Sequence, residues 1–181
     1  MLEPNATGPS NSIARQILPP AVVAASLFPA AIFGFFYAWS CSVMWGLDTV
    51  DPRAAIEAMQ GVNREIRNAA FAPAFFGTPM ALAATAALAA MARQRPAAVL
   101  LGLAAIVYLL GAMLLTIMIN VPMNEALGTI AIPADVDAAR ELWRRYSSEW
   151  TFWNHVRTGF SALAVLLTSA ALLAIGRGSS H

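Results

Sequence analysis

The segment WTFWNHVR, residues 150–157, carries an amide (Asn154), an imidazole (His155) and a guanidinium (Arg157) across the threshold of a long apolar run. Imidazole titrates near neutral pH, while amide and guanidinium groups donate hydrogen bonds. Proton transfer and stabilisation of an oxyanion are the chemistries such a trio can support. Trp150, Trp153, Asn154 and Arg157 stand at helical offsets of three, four and seven residues, and therefore share a face. His155 points a quarter-turn or more away from Asn154.

Other polar side chains stand in comparable places. Tyr37, Ser40, Cys41 and Met44 recur at helical spacing near the end of the first apolar block. Asn63 interrupts the apolar stripe of Ile56, Met59, Val62 and Ile66, and an amide on such a face is either hydrogen-bonded or costly. Asn120 and Asn124 flank Pro122 in INVPMNEAL. Each has a plainer reading. Trp150 and Trp153 are suited to anchoring at the membrane interface, and Arg157 to snorkelling towards head groups. His155 could bond a neighbouring helix, and Asn120 could cap a new one.

These residues need elements to position them, and composition defines the setting. Apolar residues make up 59% of the 181 and charged residues 12%, against roughly 45–50% and about 25% in a soluble domain. Four apolar blocks, about 20–47, 69–91, 97–119 and 152–175, are each long enough to cross a bilayer. The expected fold is an all-α integral membrane four-helix bundle with two amphipathic surface helices on one face. Residues 1–18 form a flexible lead-in, 19–176 a single membrane domain and 177–181 a disordered tail. The first span begins after Pro19-Pro20 and bends at Pro29. Asp51-Pro52 starts the first surface helix, with an N-cap oxygen followed by proline at the first helical position. A second amphipathic segment follows Asp135, and Pro122 limits the third span.

An even number of spans puts both termini on one side, with Arg15, Arg93, Arg95 and Arg177 and a single acid, Glu3. Weighting the short loop, both termini lie in the cytoplasm of a bacterial inner membrane. Tyr37, Asn63, Asn120, Asn124, Asn154, His155 and Arg157 then gather at the opposite face. The expectation is a polar pocket beneath a lid of the two amphipathic segments, because ionisable groups in membranes tend to face a cavity.

A net charge of +1 offers no footprint for nucleic acid, and a lone cysteine excludes an internal disulfide or a CxxC pair. No histidine or carboxylate pairing suggests zinc or non-haem iron. A copper site drawn from Cys41, Met44, Met59 and His155 is chemically feasible, since soft sulfur suits Cu(I). Expected partners are the lipid bilayer and a small apolar molecule, and a homo-oligomer is compatible with the pattern.

FYAWSCSVMWGL, AAIEAMQGVNREI, INVPMNEAL and WTFWNHVR, spaced in this way among four spans, resemble the anthrone oxygenase family of small membrane proteins. The resemblance runs over about residues 20 to 175. It singles out Tyr37, Met59, Asn63, Asn120, Pro122, Asn124, Trp153, Asn154, His155 and Arg157. It implies O2-dependent oxidation of an anthrone-like polycyclic aromatic to a quinone, with the substrate arriving from the bilayer. No metal or flavin is obligatory, because an anthrone enolate can itself reduce oxygen. Under that reading His155 is the base, and Arg157, Asn154 and Asn120 donate to the enolate oxygen. Trp153 and Tyr37 sandwich the rings, and Met59, Asn63 and Asn124 complete the substrate site. Two other readings compete: a non-catalytic lipophile-binding or transport component, and a copper-dependent oxidase.

Overall fold

Long apolar blocks with internally satisfied backbones become helices in a bilayer, since no water is present there to bond a free amide. The computed structural model describes residues 9–178, and every regular element in it is helical. Helix α1 (Pro9–Ala38) passes through a π-helical turn, Trp39–Val43, into α2 (Met44–Leu47). The surface helix α3 (Pro52–Glu65) follows, then α4 (Phe71–Met91). Helix α5 (Arg95–Tyr108) continues through two π-helical stretches, Leu109–Leu114 and Thr116–Asn120, into α6 (Val121–Thr129). The last helix, α7, spans Val136–Gly178. Four of the resulting rods are long and apolar enough to cross a membrane: Asn11–Leu47, Phe71–Met91, Arg95–Thr129 and Val136–Gly176. Around the bundle each rod touches its chain neighbours, and α1 closes the ring on α7.

Four boundaries differ from the sequence expectation. Helix α1 begins at Pro9, so residues 9–18 are helical, and Pro19, Pro20 and Pro29 all lie inside it. Neighbouring helices tolerate such prolines by satisfying the freed carbonyls. Residues 1–8 of the expected lead-in lie outside the described residues. The third rod does not end at Pro122 but runs on to Thr129, with two π-helical stretches just before the proline. The second amphipathic segment is no separate surface helix. It is the first half of α7, whose 43 residues, at about 1.5 Å each, run to about twice the hydrocarbon thickness. Residues 177 and 178 of the expected tail are helical, and 179–181 lie outside the described residues.

Local chemistry sets the other ends. Asp51 caps α3: its side chain accepts from the Arg53 amide at 2.9 Å, and Pro52 occupies the first turn. The Arg53 side chain and amide hold the Asp51 carboxyl down at about 2. Asn68 Oδ1 receives the amides of Ala70 and Phe71 at the start of α4. Asp135 does the same for Ala138 ahead of α7.

The core changes character along the bundle axis. At the end holding the α4–α5 loop it is alanine-rich, with Ala14, Ala89, Ala92, Ala97, Ala104 and Ala171 packed around Leu18, Leu82 and Leu101. Small side chains let helices approach closely. At the opposite end the core is large and aromatic, built from Trp39, Trp143, Tyr146 and Trp150 with Met44 of α2 and Ile56 and Met59 of α3. Leu27, Met80, Met118, Leu166 and Leu173 are exposed on the outside, as a lipid-facing belt requires. Gly111, in a π-helical stretch, lies so close to α7 that a Cβ there would fall 2.1 Å from the Phe160 ring.

Candidate functional site

A cavity of about 350 Å³ lies at the aromatic end of the bundle. Phe35, Phe36 and Trp39 line it from the first rod, and Phe71, Phe75 and Phe76 from α4. Helix α3 forms its cover through Met59, Val62, Asn63 and Ile66. Thr116, Ile117, Val121 and Asn124 come from the third rod, and Trp150 and Arg157 from α7. Phe76, Val62 and Ile117, from α4, α3 and the third rod, both line the hollow and are exposed at the bundle surface.

Arg157 is 4% exposed. Its Nε donates to Asn154 Oδ1 at 3.0 Å, and Nη1 reaches Thr116 Oγ1 at 3.4 Å. The guanidinium carbon sits 4.3 Å from the Phe36 ring centroid and 4.8 Å from that of Trp150. All ion pairs among the described residues involve other arginines. A guanidinium keeps its charge, so the cavity holds a cation steadied by aromatic faces and neutral oxygens rather than by a carboxylate. It does not snorkel.

Asn154, fully buried, is pinned at both ends. Its Nδ2 donates to the Phe36 carbonyl at 3.0 Å and to Ser40 Oγ at 2.7 Å, while Oδ1 receives Arg157. A carbonyl can only accept and a guanidinium can only donate, so the amide has one orientation. Ser40 in turn lies 3.2 Å from Thr158 Oγ1, which donates to the Asn154 carbonyl. Asn124 is fixed just as firmly: its Oδ1 accepts from Tyr146 Oη at 2.8 Å and from Trp150 Nε1 at 2.9 Å. Nδ2 of Asn63 is buried without a hydrogen-bond partner.

Among the residues singled out from sequence, Met59, Asn63, Asn124 and Arg157 line the cavity, and Asn154 stands directly behind Arg157. Asn120 is fully buried, yet neither side-chain atom has a partner and it makes no cap. Three others face elsewhere. His155 is exposed and lines an outer cleft with Trp45, Asp48, Arg144 and Phe152. One residue turns a helix by about 100°, so the step from Asn154 to His155 leaves the inward seam. Trp153 is half-buried against the edge of Phe152 and does not line the cavity. Tyr37 is 52% exposed and lies beside Phe33. On the first rod the inward seam carries Ile32, Phe36, Trp39 and Ser40 at helical spacing, and Tyr37, one residue past Phe36, falls outside it.

Of the sulfur donors, Met44 and Met59 belong to the same aromatic core. Met59 is in the cavity wall, Met44 is buried in the aromatic core, and Cys41 is half-buried with its thiol 4.0 Å from the Ala38 carbonyl. Among the described residues, no three His, Cys, Asp or Glu side chains gather closely enough to hold a metal ion between them. Sequence reasoning missed Phe36, Thr116 and Thr158, and took Trp150 for an interfacial anchor. Thr116 carried a usable signal, since it stands four and eight residues before Asn120 and Asn124.

Fold and site together define a multi-pass membrane protein with an aromatic-walled, cationic cavity near one end of a four-helix bundle. Residues 69–167, more than half of the chain, match the family model described as anthrone oxygenase, and the chain belongs to that family. The match takes in Thr116, Asn120, Asn124, Trp150, Asn154 and Arg157, whereas Phe36, Met59 and Asn63 precede it. No curated protein and no solved structure matches the chain significantly.

Proposed function

We propose that this protein is a membrane oxygenase that converts a flat, anthrone-like aromatic to a quinone with O2, the substrate entering sideways from the bilayer. Membership of the family supports the reaction class. The observation that carries the reading is Arg157, a buried guanidinium in the wall of an aromatic cavity with no carboxylate to neutralise it. An anthrone ionises to an enolate, and its oxygen placed against Arg157 supplies the missing negative charge. One preorganised donor of this kind contributes about 3 kcal/mol, or roughly 100- to 1,000-fold in rate.

The chemistry balances without a further reactant. The enolate gives one electron to O2, and the radical pair combines into a carbon-bound peroxide. The peroxide takes up the proton lost on ionisation. Its O–O bond then breaks as the remaining C–H proton departs, leaving the carbonyl and one water. The reading needs no metal or flavin. Phe36, Phe71, Phe75 and Trp150 provide flat walls for the rings, and the dry surroundings strengthen the charge interaction. Arg93 and Arg95, at the short α4–α5 turn, support a topology with both termini on the cytoplasmic side of a bacterial inner membrane.

The test is oxygen uptake by the purified protein in lipid vesicles with 1,8-dihydroxyanthrone. Wild type is expected to exceed autoxidation, and Arg157→Gln to lose about 100-fold or more with its helix content intact. Binding of the anthrone with no acceleration would overturn the reading in favour of a non-catalytic lipophile carrier. Metal analysis of the same preparation tests the copper alternative.

A further inference from the structure

We infer that the cavity recognises aromatic oxyanions bearing several acceptor oxygens, through a wall of hydrogen-bond donors formed by Arg157, Asn124 and Asn63. This deepens the oxygenase reading by naming the charge and functional groups its ligand must carry. Three independent observations bear on it. First, the cavity lining holds no acidic residue and one guanidinium without a carboxylate partner, Arg157; Arg67, also in the lining, is exposed and ion-paired with Glu125 at 2.6 Å. Second, the Asn124 amide cannot turn over. Trp150 Nε1 is a donor only, so the amide oxygen must face it, and Tyr146 occupies the same oxygen. The Asn124 NH2 group is thereby left to the cavity it lines. Third, Asn63, on the cover helix, has its NH2 buried with no partner. The one hydroxyl in the lining is already engaged: Thr116 donates to the Ala112 carbonyl at 2.7 Å and accepts from Arg157.

A hydrocarbon would leave these donors unsatisfied, and each such group is costly when buried. An aromatic amine or cation would meet like charge. A flat ring system with an ionised hydroxyl near a carbonyl satisfies the donors while its faces meet phenylalanine. Charge-assisted bonds are also the stronger ones. The ligand is therefore held as its anion before any oxidation, and hydroxyquinone products should bind by the same groups.

The probe is 1,2-dihydroxyanthraquinone, already a quinone, whose absorption reports ionisation of its hydroxyl without turnover. Titrated in the presence of the protein in nanodiscs, its apparent pKa is expected to fall by about one unit or more relative to empty nanodiscs. Unsubstituted 9,10-anthraquinone should bind about 10-fold more weakly or worse, and Asn124→Leu should weaken the dye by about the same factor. Arg157→Gln should abolish the pKa shift, whereas Arg157→Lys, which keeps the charge, should retain much of it. Should Arg157→Gln not fold, Thr116→Asp sets a carboxylate beside Arg157 and is expected to abolish the shift with the guanidinium still in place. Dye that binds without a shift, or a shift that survives both variants, overturns the inference. Oxygen uptake separates the two claims. A protein that ionises the dye yet does not oxidise the anthrone loses the oxygenase reading alone; one that oxidises the anthrone without ionising the dye loses only this one.

Discussion

Arg157 Nε rests 3.0 Å from Asn154 Oδ1, three residues earlier on the same helix, and the far side of that amide is tied to the Phe36 carbonyl and the Ser40 hydroxyl of α1 and its π-helical extension. Asn154 therefore ties the last rod to the first, and the direction of the guanidinium is inherited from the first rod.

Replacing Asn154 with leucine leaves Arg157 Nε and the Phe36 carbonyl without their partner. Two buried groups at about 1–3 kcal/mol each predict a loss near 3 kcal/mol, or roughly 10 °C in melting temperature. Oxygen uptake should fall together with stability, because the guanidinium loses its orientation. Thermal unfolding in detergent reads the first effect, and an unchanged melting temperature would contradict the geometry.

His155 lines the outer cleft, so His155→Ala is expected to leave both fold and turnover nearly intact. A general base contributes about 100- to 10,000-fold. A drop of that size in oxygen uptake would restore histidine to the chemistry and demand a rotation of α7. We expect less than about threefold, the scale of a surface change rather than a lost base.

Asn120 is fully buried with both amide atoms unpaired. Leucine keeps the branched side chain with the same count of heavy atoms and has no polar group to bury, so Asn120→Leu should stabilise the protein by about 1 kcal/mol, worth roughly 2–4 °C, where the surroundings admit its larger methyl groups. Differential scanning fluorimetry of the detergent-solubilised protein measures this. A lower melting temperature would mean that the amide has found a partner.

Gly111 leaves no room for a methyl group beside Phe160. Gly111→Ala should cost about 1–3 kcal/mol by overpacking. Phe160→Ala in the same chain should recover part of it, and the two changes should couple by more than about 0.5 kcal/mol. Simple additivity would place the strain elsewhere.

Much of the scaffold follows from one-dimensional information. Hydropathy marks the four spans because each rod needs about 20 apolar residues to cross the bilayer, and the Asp51-Pro52 pair marks the start of α3 because its capping is local. Helical phase along residues 150–157 also separates Asn154 and Arg157 from His155. Phase is only relative, however. Which seam turns inward depends on the neighbours across the bundle, and π-helical turns at 39–43 and before Pro122 reset it in ways that spacing alone does not reveal. Packing against those neighbours is why Tyr37 and Trp153 leave the site, and why Phe36, Thr116 and Trp150 join it. Amino-acid order alone was enough to make this chain a four-span membrane bundle with polar groups near one end. Whether those groups shared a cavity, and which of them the cation there would touch, was decided by tertiary packing, because such contacts join helices more than a hundred residues apart, as Asn154 and Ser40 are joined.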